Sequence, residues 1–564
     1  MSEPTQGTRA SADAGAGAAV IELGMDKTKP FAITLDVGSS LANETGSWRT
    51  ERPIYVDLLP PCNKACPSGE NIQKWLFHAE EGDYEAAWRE IMVNNPLPAC
   101  MGRVCYHPCQ TACNRAEVDE EVGINAIERF LGDKALEEGW SIDVLVPDTG
   151  KTVLVVGAGP SGLSAAYHLR RMGHSVVVRD AGPMAGGMMR FGIPSYRLPR
   201  NVLDAEIKRI EDMGVRFEFD AKVENIEDVR GGFDAVFLAV GAHIGKHASI
   251  PAAGASKIMD AVELLADMET DEKPLLGRRV AIYGGGNTAV DAARTARRLG
   301  AEEAVIIYRR TRDRMPAHDF EVQEAEEEGI MMRWLSTIKH VEGDEIKIEK
   351  MELDESGFPQ PTGEYETLEA DSLVLALGQD SDLSLIEDAE GIEITDGVVT
   401  VNRQMMTGIE GVFAGGDMVP SERTVTVAIG HGKKAARYID AYLHGAEYNP
   451  AAKHDDAGIE RINPWYYAEA PHQVREKLEG ARRASNFDEV VLGLDEDSAL
   501  FEARRCMSCG NCFGCDNCFG VCPDNAITKI RPTEYLFKYD YCKGCGVCAE
   551  ECPCGAITMI PEEG

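Results

Sequence analysis

Between residues 114 and 505 the chain has no cysteine, although it carries 17 of them. That gap excludes a dithiol or disulfide relay from the whole centre of the molecule. No apolar run approaches the twenty or so residues that a membrane-spanning helix needs, so a bilayer span is not expected. Positive charge is scarce as well: 57 Lys and Arg stand against 94 Asp and Glu, a formal net charge of −37. Nucleic acid and anionic membrane would both be repelled, and the plainer use of such a surface is solubility. The alanine- and glycine-rich start lacks a basic stretch followed by an apolar core, so no signal peptide is expected and the cytoplasm is the default setting. What remains is a chain of 564 residues, 44% hydrophobic, with room for three or four domains.

The cysteines fall into two blocks, Cys62 to Cys113 and Cys506 to Cys554. Short-spaced thiols in a leaderless chain point to metal ligation in a reducing compartment, not to disulfides. In the second block Cys512, Cys515, Cys518 and Cys522-Pro523 follow C-x2-C-x2-C-x3-C-P, and Cys542, Cys545, Cys548 and Cys552-Pro553 repeat it. This is the bacterial ferredoxin pattern, in which the fourth cysteine of each run serves the other 4Fe–4S cluster. One cluster is therefore assigned Cys512, Cys515, Cys518 and Cys552, the other Cys542, Cys545, Cys548 and Cys522. Cys506, Cys509 and Cys554 are left over. The first block holds Cys62, Cys66, Cys100, Cys105, Cys109 and Cys113 around two segments of helical spacing, near 72–80 and 84–92. Four of these thiolates suffice for one 4Fe–4S cluster, zinc being the weaker alternative.

The stretch that organises the cysteine-free centre is KTVLVVGAGPSGLSAAYHLRRMGHSVVVRD, residues 151–180. A β-branched run reads as a buried parallel strand, and Gly157, Gly159 and Gly162 follow with G-x-G-x-x-G spacing ahead of a helix. The three glycines serve the tight turn, the approach of backbone to a pyrophosphate, and close helix–strand packing. Asp180 ends the next strand, where a carboxylate can bind a ribose hydroxyl. Gly186 and Gly187 let the backbone pass a cofactor, and Arg190 can reach a phosphate. A strand at 233–240 ends at Gly241. The pattern then recurs in RVAIYGGGNTAVD, with Gly284, Gly286 and, opening the helix, Asn287 and Thr288. Its second strand ends in Arg309-Arg310 instead of an acid, which favours the 2′-phosphate of NADP over NAD. An exit strand follows at 373–379, then GVFAGGDM with Gly416 and Asp417, then TVTVAIGHG, a helix start from Thr424 aimed at a flavin. His431 is expected to pack or cap, not to catalyse.

A cysteine module ahead of an FAD fingerprint resembles the small subunit of bacterial glutamate synthase. It is also similar to the large subunit of NADH-dependent ferredoxin:NADP oxidoreductase and to the N-terminal half of dihydropyrimidine dehydrogenase. The likeness spans about residues 60–445. It implies that the 186–190 loop covers a flavin and that Met315 to Glu328 belongs to a nucleotide domain. It also implies one N-terminal cluster held by Cys66, Cys105 and Cys109, with the fourth ligand among Cys62, Cys100 and Cys113.

The expected architecture is α/β, with two Rossmann-like dinucleotide domains. They are an FAD domain (147–276 and 370–446) interrupted by an NAD(P)H domain (277–369). A tail (1–50) and a helical iron–sulfur module (51–146) precede them; a connector (447–505) and a ferredoxin-like α+β domain (506–564) follow. Asn463-Pro464-Trp465-Tyr466-Tyr467 is expected to anchor the connector on the FAD domain. Nicotinamide exchanges electrons in pairs, iron–sulfur clusters singly, and flavin does both, so the reading is an electron-transfer flavoprotein. NADPH, FAD and three 4Fe–4S clusters serve a partner subunit or ferredoxin in a hetero-oligomer, for instance a 2-oxoacid:ferredoxin oxidoreductase type complex. No side chain is required as a catalytic acid or base. The alternatives are a glutamate synthase small subunit, which does not usually carry a ferredoxin domain, and a non-catalytic electron wire or assembly subunit.

Overall fold

The computed structural model describes residues 44–246, 250–253, 257–270 and 272–562. The expected N-terminal tail lies outside the described residues as far as residue 43. From there on it is no tail: Gly46 N–H donates to Asp540 O (2.9 Å) and Thr45 Oγ1 to Tyr541 O (2.6 Å). Strand Glu51–Tyr55 then pairs antiparallel with Ile557–Pro561. Among the described residues, the first strand and the last thus form one two-stranded sheet.

The helical module follows, its helices Ile72–Glu80 and Tyr84–Met92 capped by Asn71 and Asp83, whose side chains accept Lys74 and Ala86 N–H. Such caps satisfy amides that the helix leaves unpaired. Trp75 and Trp88 fill the interior of this module and are fully buried.

Two parallel sheets make up the centre. The first runs Val412–Ala414, Ala235–Leu238, Thr152–Val156, Ser175–Arg179, Arg216–Glu218. Its middle strand is buried on both faces, which is why Val153 to Val156 are all apolar. The second runs Met331–Arg333, Glu303–Ile307, Arg279–Gly284, Ser372–Ala376, Lys257–Asp260. This moves the expected domain boundary. Strands 257–260 and 372–376, assigned from sequence to the first domain, pair into the second, because 372–376 lies directly beside the strand leading to Gly284. The crossing between domains is instead the short ribbon of Ile244–Gly245 and Gln379–Asp380. An antiparallel layer (Ser336–Glu342, Glu345–Leu353, Pro359–Glu369) covers the second sheet.

Helix Val425–Leu443, the longest described, packs against Pro160–Arg171 in the first domain and turns its other side to the helical module. The module comes close because a Cβ on Gly430 would stand 2.2 Å from Pro67 O. The connector patch does not rest on the FAD domain as expected. Asn463 N–H donates to Pro553 O and its Nδ2 to Glu550 O, and Tyr467 OH donates to Met507 O, so the patch grips the C-terminal domain. Among the described residues no helix is long and apolar enough to cross a membrane.

Candidate functional site: one cavity between two sheets and three thiol groups beside it

A cavity of about 1390 Å³ opens at the carboxyl ends of both parallel sheets, where ligands of such folds bind. Of the residues predicted to touch FAD, Gly157, Gly159, Asp180, Gly187, Gly241, Gly416, Asp417 and Thr424 line it. Gly157 has φ +106° and Gly162 sits against it: a Cβ on Gly162 would lie 1.9 Å from Gly157 O. Gly162 therefore packs the turn and does not face the cavity, while Gly159 has room where a pyrophosphate would approach, its nearest neighbour being Gly187 Cα at 3.9 Å. Asp180 accepts Ala158 N–H (2.6 Å) and Gly182 N–H (2.8 Å), fixing the loop while keeping lone pairs for a ribose hydroxyl. Arg190 is the exception. It is buried, donates to Ala185 O at 2.7 Å and pairs with Asp204, so its charge is already spent inside the loop.

The first turn of helix Val425–Leu443 faces the cavity, with Thr424 capping it through Val427 N–H. The free amides and dipole there favour an anionic partner. Burial pushes the Asp417 carboxyl up to about 6. His431 accepts Gly416 N–H at Nδ1 (3.2 Å), the packing role expected of it.

The second nucleotide wall carries Gly284, Gly286, Asn287, Thr288, Arg309 and Arg310. Gly286 again leaves open space. Neither Arg309 nor Arg310 has an ion-pair partner among the described residues, and Arg310 Nε is a buried donor without an acceptor. In a chain so rich in carboxylates, two unneutralised guanidiniums on a cavity wall form a site with the chemistry of a phosphate receptor.

The thiols reach this cavity from the side. All 17 cysteines are free among themselves. Cys66, Cys105 and Cys109 form one group, Cys109 buried and the other two half-buried; burial and then neighbouring charge raise all three, Cys66 and Cys105 up to about 12. Glu128 bears electrostatically on all three, from an interior position where Asn95 Nδ2 donates to it (2.8 Å). Of the three cysteines expected to supply the fourth ligand, Cys62 adds its charge at Cys109 and shares its hydrophobic cluster. Cys100 lies apart, its neighbours being Glu206, Arg103 and Arg209. Cys62 and Cys113 turn toward Cys509.

The contact between thiols and cavity is direct. Thr426, in the first turn of the long helix, donates to Cys105 Sγ at 3.1 Å. The next residue, Tyr106, lines the cavity, accepts Asn287 Nδ2 (2.6 Å) and stacks on His318 with ring centroids 3.7 Å apart. Thr426, Tyr106, His318 and Glu128 were not found from sequence. Only the Tyr beside a cysteine and the Thr two residues past a predicted helix cap offered any signal.

In the C-terminal domain burial, above all, pushes Cys512 and Cys548 up, with the charge of Cys518, Cys552 and Cys515 added at Cys512 and that of Cys542, Cys522, Cys545 and Cys518 at Cys548. Cys554 lies 3.8 Å from Cys552. Zinc fits none of these groups: among the described residues, only His174, Asp440 and His444 bring three ligand atoms within 4.8 Å of one another. Sulfur ligands of one zinc stand about 3.8 Å apart.

Known proteins agree with this layout. Residues 151–432 match the family described as pyridine nucleotide-disulphide oxidoreductase, residues 44–140 dihydropyrimidine dehydrogenase domain II with its 4Fe-4S cluster, and residues 535–558 the 4Fe-4S binding domain. The NADP(+)-dependent formate dehydrogenase subunit beta of Moorella thermoacetica is 35% identical over 499 residues, covering 80% of this chain and 70% of that one. The NADPH-Fe(3+) oxidoreductase subunit beta of Geobacter sulfurreducens is 34% identical, covering 80% and 75%. The small chain of NADPH glutamate synthase from Azospirillum brasilense is 32% identical, covering 70% and 88%. The chain belongs to the pyridine nucleotide-disulphide oxidoreductase family: it is an FAD- and NADP-dependent electron-transfer oxidoreductase, a subunit flanked by 4Fe–4S modules at both ends.

Proposed function

We propose that this subunit accepts reducing equivalents from NADPH and delivers them one at a time, through Cys105 and its neighbours, to a separate catalytic subunit. The observation that carries the route is the Thr426–Cys105 hydrogen bond, which ties a helix start on the cavity wall to a buried thiol group. When bound, a flavin takes up the two electrons of a hydride together and releases them singly to iron–sulfur centres.

The chain's own part is to hold and orient. Arg309 and Arg310 supply the charge that receives a 2′-phosphate, and Gly284 and Gly286 the backbone that lies along the pyrophosphate. Gly157, Gly159 and Asp180 do the same on the other side, and the helix start at Thr424 presents amides to the flavin ring. Asn287 and Tyr106 fix the helical module to the nicotinamide wall, so donor and exit share one frame. Cys66, Cys105, Cys109 and Glu128 hold the exit cluster, and the crossed sets of the C-terminal domain hold two more. Nothing in this route calls for proton transfer by a side chain.

The relatives' names attach such a subunit to formate in one case and to ferric iron in another. A 2-oxoacid:ferredoxin oxidoreductase type complex is our expectation for the partner here and rests on the appended ferredoxin domain. The open glycine cradle and the unpaired arginines speak against a vestigial wire. Anaerobic titration of the purified chain with NADPH should bleach the flavin absorbance and then raise paramagnetic cluster signals. A yellow protein that NADPH fails to bleach overturns the reading.

A further inference from the structure

Cys506 and Cys509 are surplus to the ferredoxin spacing, and the fold seats them against the helical module. They end the connector just past helix Glu496–Ala503, which packs into the helical module's own core beside Cys62, Cys66 and Cys113. A small cavity lies there, lined by Cys62, Cys113, Cys506 and Cys509 together with Asn114 and Gln73. The loop bearing the two late cysteines is tied down on every side. Gln73 Nε2 donates to Ser508 Oγ (2.8 Å), Leu58 N–H to Gly510 O (3.0 Å), and the buried Arg505 to Glu120 O (2.7 Å) and Glu121 O (2.8 Å). The sulfurs themselves are solvated by donors: Asn114 Nδ2 to Cys509 Sγ (3.5 Å) and Ser508 N–H to Cys506 Sγ (3.4 Å). Donors of this kind settle the charge of a cluster's thiolates.

We propose that Cys62, Cys113, Cys506 and Cys509 hold a 4Fe–4S cluster of their own, with two ligands from each end of the chain. The inference rests on the reading of the chain as an iron–sulfur flavoprotein. Four cysteines are the full ligand complement of such a cluster. They are also too widely set for one zinc ion, since no three of their sulfurs fall within 4.8 Å of one another. Binding exchanges four thiol protons for four Fe–S bonds and moves no electron. Held there, such a cluster would supply one-electron exchange between the Cys109 side and the ferredoxin pair, with no bond made or broken. Its place fits that passage. Cys62 and Cys109 belong to one hydrophobic cluster, and Tyr467, whose OH donates to Met507 O, feels the charge of Cys506 and Cys509 as well as that of Cys552 and Cys554.

The full-length chain, purified anaerobically, tests this by iron and acid-labile sulfide content. Four clusters give about sixteen iron atoms per chain. Replacing Cys506 and Cys509 by Ser should remove about four of them and keep the bound FAD. Cys62→Ser, at the opposite end of the chain, should remove the same four, and adding it to the pair should remove none beyond that. Cys100→Ser should change nothing. A wild-type count of about twelve with the Cys506/Cys509 variant unchanged overturns the proposal alone. Additive losses from the two ends, or zinc in place of the missing iron, overturn it too. A wild-type chain without iron would instead remove the electron-transfer reading beneath it.

Discussion

At the scale of residues, the proposed preference for NADPH rests on Arg309 and Arg310, two cations on the cavity wall with no ion-pair partner among the described residues. A charge-assisted contact to phosphate is worth about 1.5–3 kcal/mol, or roughly ten- to a hundred-fold in affinity. Replacing both by Ser should raise the KM for NADPH by that factor and leave NADH unchanged. Steady-state rates with the two nucleotides check it, and equal losses would remove the phosphate assignment. The same pair shows what the sequence made legible. A strand ending in Arg-Arg where an acid would select NAD is a local signal, and so are the glycine spacings, because each acts within its own turn. Arg190 was misread for the complementary reason: nothing in the sequence could say that Asp204 and a loop carbonyl would claim its guanidinium first. Glu128 was missed because a carboxylate becomes noticeable only once three thiols are known to face it.

At the scale of elements, the long helix Val425–Leu443 couples the nucleotide cavity to the helical module, and Gly430 sets how closely they meet. An Ala there gains about 1 kcal/mol of helix propensity but drives its Cβ into Pro67 O, at a cost of about 1–3 kcal/mol. Gly430→Ala should leave bleaching by NADPH intact and slow the appearance of reduced clusters, because the helix has to move off the thiols to relieve the clash. Stopped-flow absorbance separates the two phases. The strands and helices themselves were largely anticipated, since their periodicity is written locally. The domain boundary was not. Strands 257–260 and 372–376 look from sequence like the edges of the first domain, and only parallel pairing beside 279–284 reveals that they complete the second.

At the scale of the whole molecule, the two ends are clasped around Asp119. Its carboxylate pairs with Arg115 (2.6 Å) and Arg505 (3.1 Å) and accepts Ala470 N–H (2.9 Å), joining module, connector and the approach to the last domain. The Arg115 guanidinium, above all, holds the Asp119 carboxyl well below its ordinary 3.8. A depressed folded-state value means that the ionised form stabilises the fold. The contribution is complete above about pH 4 and is lost as acid protonates the group in the folded protein. Asp119→Asn should therefore cost about 1.5–3 kcal/mol at neutral pH. Denaturant unfolding should show a constant gap from wild type between pH 8 and about 5, closing as the pH falls below 4. Sequence spacing was blind to this clasp, as it was to the meeting of Cys62 and Cys113 with Cys506 and Cys509. Ladder pairs and ligand sets between distant residues leave no periodic trace.

The pairing of strand Glu51–Tyr55 with Ile557–Pro561 has a consequence for biogenesis. On the ribosome, the early segment emerges with an unsatisfied edge and waits until strand Ile557–Pro561 leaves the exit tunnel. Every domain between the two strands is made before that edge is covered.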